Sequence, residues 1–205
     1  MRSATPNPAT KTEWRDGFLF VGNQLIVDFV NTLPVIDGQP VELLPDAGAL
    51  ARWLVAAGLC APSDVEAWKA VPSASHTREM TALRAFREVV RSELLKLEHG
   101  AGVTVGFVQT LNEHLQRHPT VSCLSVQGGS ISKGAHFQPK RPGDAFGPLA
   151  EDMAQLLTAR DPQRLRKCSG CAVHFLDTSK KGTRRWCSMA MCGNRSKVAA
   201  YARRA

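Results

Sequence analysis

CSGCAVHFLDTSKKGTRRWCSMAMCGNR, residues 168–195, decides how the chain is read. It holds four cysteines, Cys168, Cys171, Cys187 and Cys192, in the pattern C-x2-C-x15-C-x4-C. Paired cysteines at this separation have the arithmetic of a zinc site, because four thiolates complete a tetrahedron around one Zn²⁺. Arg166, Lys167, Arg185 and Arg195 flank the thiolates, and their charge favours the ionised sulfurs. A disulfide reading would need an export signal, and the N-terminal MRSATPNPATKTEWRDG lacks the apolar centre of one. A redox C-x-x-C would need a strand–helix setting, whereas LRKCSGCAVHF leads into a strand. One structural zinc is therefore expected, with His174 superfluous as a ligand.

The charge distribution gives the same segment a partner. The chain of 205 residues carries a net charge of +8. Between Arg160 and Ala205 there are twelve Lys and Arg against two acids, Asp161 and Asp177, so the remainder is slightly acidic. A basic excess confined to one end points to an anionic partner. The candidate nucleic-acid contacts are Lys180, Lys181, Arg184, Arg185, Arg195, Lys197, Arg203 and Arg204. Such contacts give salt-sensitive affinity without sequence preference. Arg185 and Arg195 have a second reading, as braces of the zinc knuckle.

Local patterns suggest how the module is built. VHFLD and TRRW read as two strands around an SKKG turn, and GNRSKVAAYARR reads as a helix. Val198, Tyr201 and Ala202 share a face of that helix and are expected to pack on the hairpin. A unit this small buries too little surface to fold reliably without its metal.

Upstream, apolar periodicity predicts helices over about 23–33, 45–60, 62–71, 76–99, 104–117 and 146–159. Asp46 caps the second, and Ser63 with Glu66 forms a capping box for the third. GFLFVG (17–22) reads as a short strand, and residues 120–140 as a hairpin around Gly128-Gly129. Cys60 and Cys123 stand alone in apolar surroundings and read as small core residues. Glu113, His114 and His118 have no third ligand in sight and read as an exposed amphipathic face. No nucleophile or paired-carboxylate constellation is found, so the chain is not expected to be an enzyme. Asn23, Asp28, Asn31 and Thr32 interrupt an apolar stretch. They either line a ligand pocket or cap and brace the first helix.

At these residues the chain resembles a known family. The run C-x2-C…F-L-D-T-S-x4-R-R-W-C-S-M-x2-C-G-N-R-x-K over about 168–204 resembles the CGNR zinc finger, with the tetrapeptide at Cys192-Gly193-Asn194-Arg195. GNQLIVDFVNTL (22–33) resembles the opening of the ABATE domain, which precedes this finger in bacterial proteins regarded as stress-induced transcription regulators. The resemblance implies a DNA-binding regulator; the residues alone do not choose DNA over RNA.

The expectation is thus an α+β chain, mostly α. A flexible tail (1–16) leads into a helical ABATE-like domain with a small β component (17–160), then a treble-clef-like zinc finger (161–205). The expected partners are DNA, a small-molecule effector and a second copy of the chain, in the cytoplasm and without a membrane span. The competing reading is an adaptor whose finger binds RNA or a protein.

Overall fold

A computed structural model describes residues 13–36, 38–69, 74–158 and 162–202. In chain order these form β1 (Trp14–Arg15), β2 (Phe18–Leu19), α1 (Leu25–Val30), β3 (Val35–Ile36), β4 (Gln39–Pro40), α2 (Ala47–Ala57) and α3 (Pro62–Lys69). Then come α4 (Ala74–Glu98), α5 (Val105–Arg117), β5 (Val121–Gln127), β6 (Ser130–His136), α6 (Phe146–Thr158), β7 (Leu165–Lys167), β8 (His174–Leu176) and α7 (Asn194–Ala202). The chain is mostly α, as expected. Its strands form four separate antiparallel pairs, each between consecutive strands. Among the described residues no helix is long and apolar enough to cross a membrane.

The helices follow from their caps and stripes. Asp46 accepts the Ala49 N–H at 2.8 Å to start α2, and Gly58 ends it at φ +78°, a left-handed conformation that glycine takes without strain. Thr104 starts α5 through a bond from the Phe107 N–H at 3.2 Å. α3 begins at Pro62, one residue before the expected Ser63 cap, and Asp64 reaches back to accept the Ala61 N–H at 2.8 Å. Gly128 and Gly129, both at positive φ, make the tight turn between β5 and β6.

The main core gathers one face from each helix: Phe29 of α1, Trp53 of α2, Leu83, Val90 and Leu94 of α4, Leu111 of α5, and Leu149 and Met153 of α6. Leu165 of β7 and Leu176 of β8 belong to this core too. A second, smaller core joins Cys168, Val173, Phe175, Cys187 and Cys192 to Leu19 and Val21. Each core therefore borrows residues from the other end of the chain. The finger is completed by the N-terminal strand region, which supplies part of the surface that a unit of its length lacks.

Several local expectations change. The extended stretch at 17–22 shortens to β2, paired with β1, because the chain turns back through Asp16 and Gly17 at positive φ. β8 pairs with Leu165–Lys167, not with the TRRW segment: Arg166 lies opposite Phe175 and Lys167 opposite His174. Residues 183–187 form no strand, because Asp177 and the metal ligands set their path. Val198 and Tyr201 do not pack on a hairpin; they are 69% and 77% exposed on α7. Cys60 is half-buried at the edge of the main core, and Cys123 is half-buried on the β5–β6 hairpin, so neither is a fully buried core residue.

Candidate metal centre and basic surface

β7 and β8 bring the first cysteine pair to the metal position. Cys168 follows β7, and its N–H bonds the Val173 carbonyl at 2.9 Å, closing the knuckle that carries Cys171. The second pair is carried by a loop and a single π-helical turn, Met189–Gly193, capped by the buried Ser188. Ser188 Oγ accepts the Met191 N–H at 3.2 Å. That turn swings Cys192 toward Cys187 before α7 begins. Gly170 is pressed against it: a Cβ there would stand 3.2 Å from Cys192 Cβ.

The four sulfurs meet at one point. All lie within 4.8 Å of one another, with Cys171–Cys187 and Cys187–Cys192 Sγ separations of 3.8 Å. Bonds of about 2.3 Å at tetrahedral angles require sulfurs about 3.8 Å apart. The donor set therefore fits one zinc ion with every position filled by protein, which is the signature of a structural site. Cys168, Cys187 and Cys192 are buried and Cys171 is half-buried.

The surroundings favour thiolates. Cys168 Sγ accepts N–H bonds from Gly170 at 3.4 Å and Cys187 at 3.3 Å. The Arg195 guanidinium donates to Cys192 Sγ at 3.1 Å and to the Gly170 carbonyl at 2.9 Å, clamping the two halves together. Hydrogen bonding from Cys187 draws the Cys171 thiol down to about 5, while burial pushes Cys192 up to about 11. Cys187 is also pushed up, first by its bond to Cys171 and then by burial. Metal binding requires the thiolates, so a divalent cation at the centre of this cluster would favour their deprotonation.

The candidate nucleic-acid residues separate into two groups. Arg184 is inward-facing: it donates to the Cys187 carbonyl at 2.6 Å and lies 4.9 Å over the Phe175 ring. Its N–H bonds Asp177 Oδ2 at 2.8 Å. Asp177 is fully buried; bonds from Ser179 and Arg184 hold its carboxyl below the ordinary range despite the opposing effect of burial. Lys180, Lys181, Arg185, Arg195 and Lys197 are exposed. Arg185 rests 5.4 Å over the Trp186 ring, and Arg195 combines exposure with its clamp on Cys192. Arg203 and Arg204 lie outside the described residues.

Of the polar set at the first helix, Asp28, Asn31 and Thr32 are buried and Asn23 is exposed, and all four hydrogen-bond within the protein. Asn23 Nδ2 donates to the Leu176 carbonyl at 2.9 Å. Asn31 Nδ2 donates to the His174 carbonyl at 2.8 Å, and Asn31 Oδ1 accepts the His174 N–H at 2.9 Å. Thr32 Oγ1 donates to the Phe29 carbonyl at 2.6 Å and accepts from Arg87 at 2.9 Å. Asp28 accepts the Gly22 N–H at 2.7 Å, and burial raises its carboxyl to about 7, partly offset by that bond and by Arg15. Of the two readings of these residues, the contacts match the brace, extended beyond α1 to the zinc finger. His174 is spent in the same way: its Nδ1 lies 2.8 Å from Glu98 of α4, away from the metal. His114, read as exposed, is half-buried and stacks on Phe146 at 4.2 Å. Among the described residues only the four cysteines form a metal-holding group.

Asn23, Asn31 and His174 carried no local signal for this role, since their partners lie far along the chain. A search of curated proteins finds no significant match. The CGNR zinc finger model matches residues 164–205, which contain every sulfur of the centre and the clamping Arg195. The model named ABATE, described as "Putative stress-induced transcription regulator", matches residues 23–160. Since that match spans the helical body from the Asn23 brace onward, the chain belongs to the ABATE family, with a CGNR zinc finger closing it.

Proposed function

We propose that the chain is a zinc-dependent DNA-binding transcription regulator of the cytoplasm, in which the helical body senses a ligand or mediates assembly and the finger grips the duplex. The observation that supports this most is the display of Lys180, Lys181, Arg185, Arg195 and Lys197 at the surface of a module fixed by four cysteines. Phosphate contacts need cations held by a rigid scaffold, and the metal supplies one. The family description points to regulation. The role is one of binding, not of catalysis.

Fluorescence anisotropy on zinc-loaded protein, titrated with salt, tests the reading against duplex DNA, single-stranded RNA and transfer RNA. The expected result is tightest binding to duplex DNA, with log affinity falling linearly with log salt. Preference for either RNA overturns it in favour of the adaptor reading. That second reading, with a protein partner, draws on Val198 and Tyr201, which lie exposed on α7 beside Lys197.

A further inference from the structure

A cavity of about 490 Å³ opens in the helical body, where the end of α5, the ends of the β5–β6 hairpin and the start of α6 meet. Its volume is that of a small-molecule site. Leu25, Val121, Phe137 and Pro148 supply an apolar wall. Three cations and three carboxylates also line it, but they are not equally available.

Two carboxylates are committed to protein donors. Asp144 accepts the Lys140 N–H at 2.8 Å and pairs with Arg141 at 3.3 Å. Asp152 accepts the Ile26 N–H at 2.8 Å and Gln24 Nε2 at 2.9 Å. Arg141 is likewise taken, by Glu79 at 3.0 Å. Two cations remain. Arg117 has only a loose, exposed pairing with Glu113 at 3.6 Å, and the Lys140 ammonium has no ion-pair partner among the described residues. Against them stands one carboxylate, Glu151, which itself takes a bond from Gln155 at 3.3 Å. These bonds leave the charges of Asp144 and Asp152 in place, so the lining is formally neutral; Arg117 and Lys140 stand out as the cations whose donors are not spent on close protein acceptors.

We propose that this cavity binds a small organic anion, its apolar body seated on Leu25, Val121 and Phe137 and its carboxylate or phosphate held by Arg117 and Lys140. The proposal deepens the sensing role given above and rests on it for its consequence. Leu25 lines the cavity and begins α1, Asp152 of α6 lines it and accepts the Ile26 N–H of α1, and α1 ends at its C-cap Asn31, whose amide holds His174 of the finger. A ligand that shifts Leu25 or Asp152 acts on a six-residue helix whose far end is bonded to β8, three residues after Cys171. Occupancy then changes the finger's affinity for DNA, and DNA changes the ligand's affinity by the same factor.

Calorimetry on the zinc-loaded full chain tests the site with four probes sharing one ring: 3-phenylpropionate, phenyl phosphate, phenethyl alcohol and phenethylamine. Saturable one-to-one binding of an anion, at least tenfold tighter than the alcohol or the amine, is the expected result. Which of the two anions is preferred identifies the head group. Arg117→Ala with Lys140→Ala weakens the preferred anion at least tenfold, and Gln155→Trp, an exposed lining position, blocks it, with zinc content unchanged in both. Binding of neither anion, or anion binding indifferent to these variants, overturns the proposal. Anisotropy with DNA separates site from consequence: an anion that binds as expected but leaves DNA affinity unchanged upholds the site and overturns the sensing role.

Discussion

Asn31, the C-cap of α1, holds His174 of β8 by both of its backbone groups, at 2.8 and 2.9 Å, across 143 residues of sequence. A side-chain amide thus stands in for a neighbouring strand at the free edge of β8. Gly22 and Asn23 continue the same edge, taking the Leu176 N–H at 2.8 Å and its carbonyl at 2.9 Å. The metal module and the helical body are therefore joined by backbone-directed bonds as well as by shared apolar residues. Buried backbone groups at such a joint have no water to fall back on.

Replacing Asn31 by Ala leaves the His174 N–H and C=O buried without partners. Each unmet group costs about 1–3 kcal/mol, so the variant should lose about 2–6 kcal/mol of stability in urea unfolding. Zinc should remain stoichiometric in the folded protein but be lost to a chelator faster than from the wild type. A variant as stable as the wild type, with the same chelation rate, removes this joint from the energetics of the fold.

Asp28 sets a pH dependence. Its folded carboxyl is raised to about 7 against an ordinary 3.8, so the folded chain holds a proton that the unfolded chain releases. The stability associated with that proton is complete below about pH 4 and is lost as pH rises toward 7. Three units correspond to about 4 kcal/mol as an upper bound. Asp28→Asn keeps an oxygen for the Gly22 N–H and removes the charge. Urea midpoints at pH 5 to 8 should show the variant's advantage over the wild type growing with pH. Parallel curves would mean that Asp28 is ionised at little cost.

What was legible in the sequence divides by range. α4, expected at 76–99 and found at Ala74–Glu98, announces itself through its own stripe of Leu83, Phe86, Val90 and Leu94. The sulfur centre follows from spacing, because C-x2-C brings two ligands to one metal whatever surrounds it. The pairing of β8 was not legible. Strands of three residues carry almost no preference of their own, and Leu165 outcompetes TRRW because Leu165 and Leu176 enter the main core together. Arg87 had no local signal either: it is 2% exposed and paired with Glu42, 45 residues away in the sequence. The roles of Asn23 and Asn31 depend on distant backbone groups, which no window along the chain can contain.

Removing the metal should undo the finger while sparing the helical body. Cys187→Ser breaks the set at the sulfur that has two neighbours at 3.8 Å. Zinc content should fall from one per chain to near zero. The thiolate-to-cobalt absorption of the cobalt-substituted wild type should be absent from the variant. Helical circular dichroism should persist for the most part, since α2 to α6 pack on a core without cysteine ligands. Retention of one tightly held zinc in that variant would require a ligand other than these four.

The two adjacent arginines should behave oppositely, although they look equivalent in sequence. Arg184 serves the fold: its guanidinium holds the Cys187 carbonyl at 2.6 Å and covers Phe175. Arg184→Ala should therefore destabilise the finger by about 1–3 kcal/mol, the range for a partly buried charge-assisted bond, and should loosen zinc. Arg185 is exposed and rests on Trp186. If it meets a phosphate, Arg185→Ala should leave thermal stability and zinc content intact, weaken duplex binding across all sequences, and reduce the slope of log affinity against log salt by about 1. Combining it with Lys180→Ala and Lys181→Ala should bring that reduction to about 3. Unchanged slopes in the triple variant, with zinc in place, would move the nucleic-acid surface off the 180–185 segment. An effect of Arg184→Ala on binding with no loss of zinc or stability would reverse the roles of the two arginines.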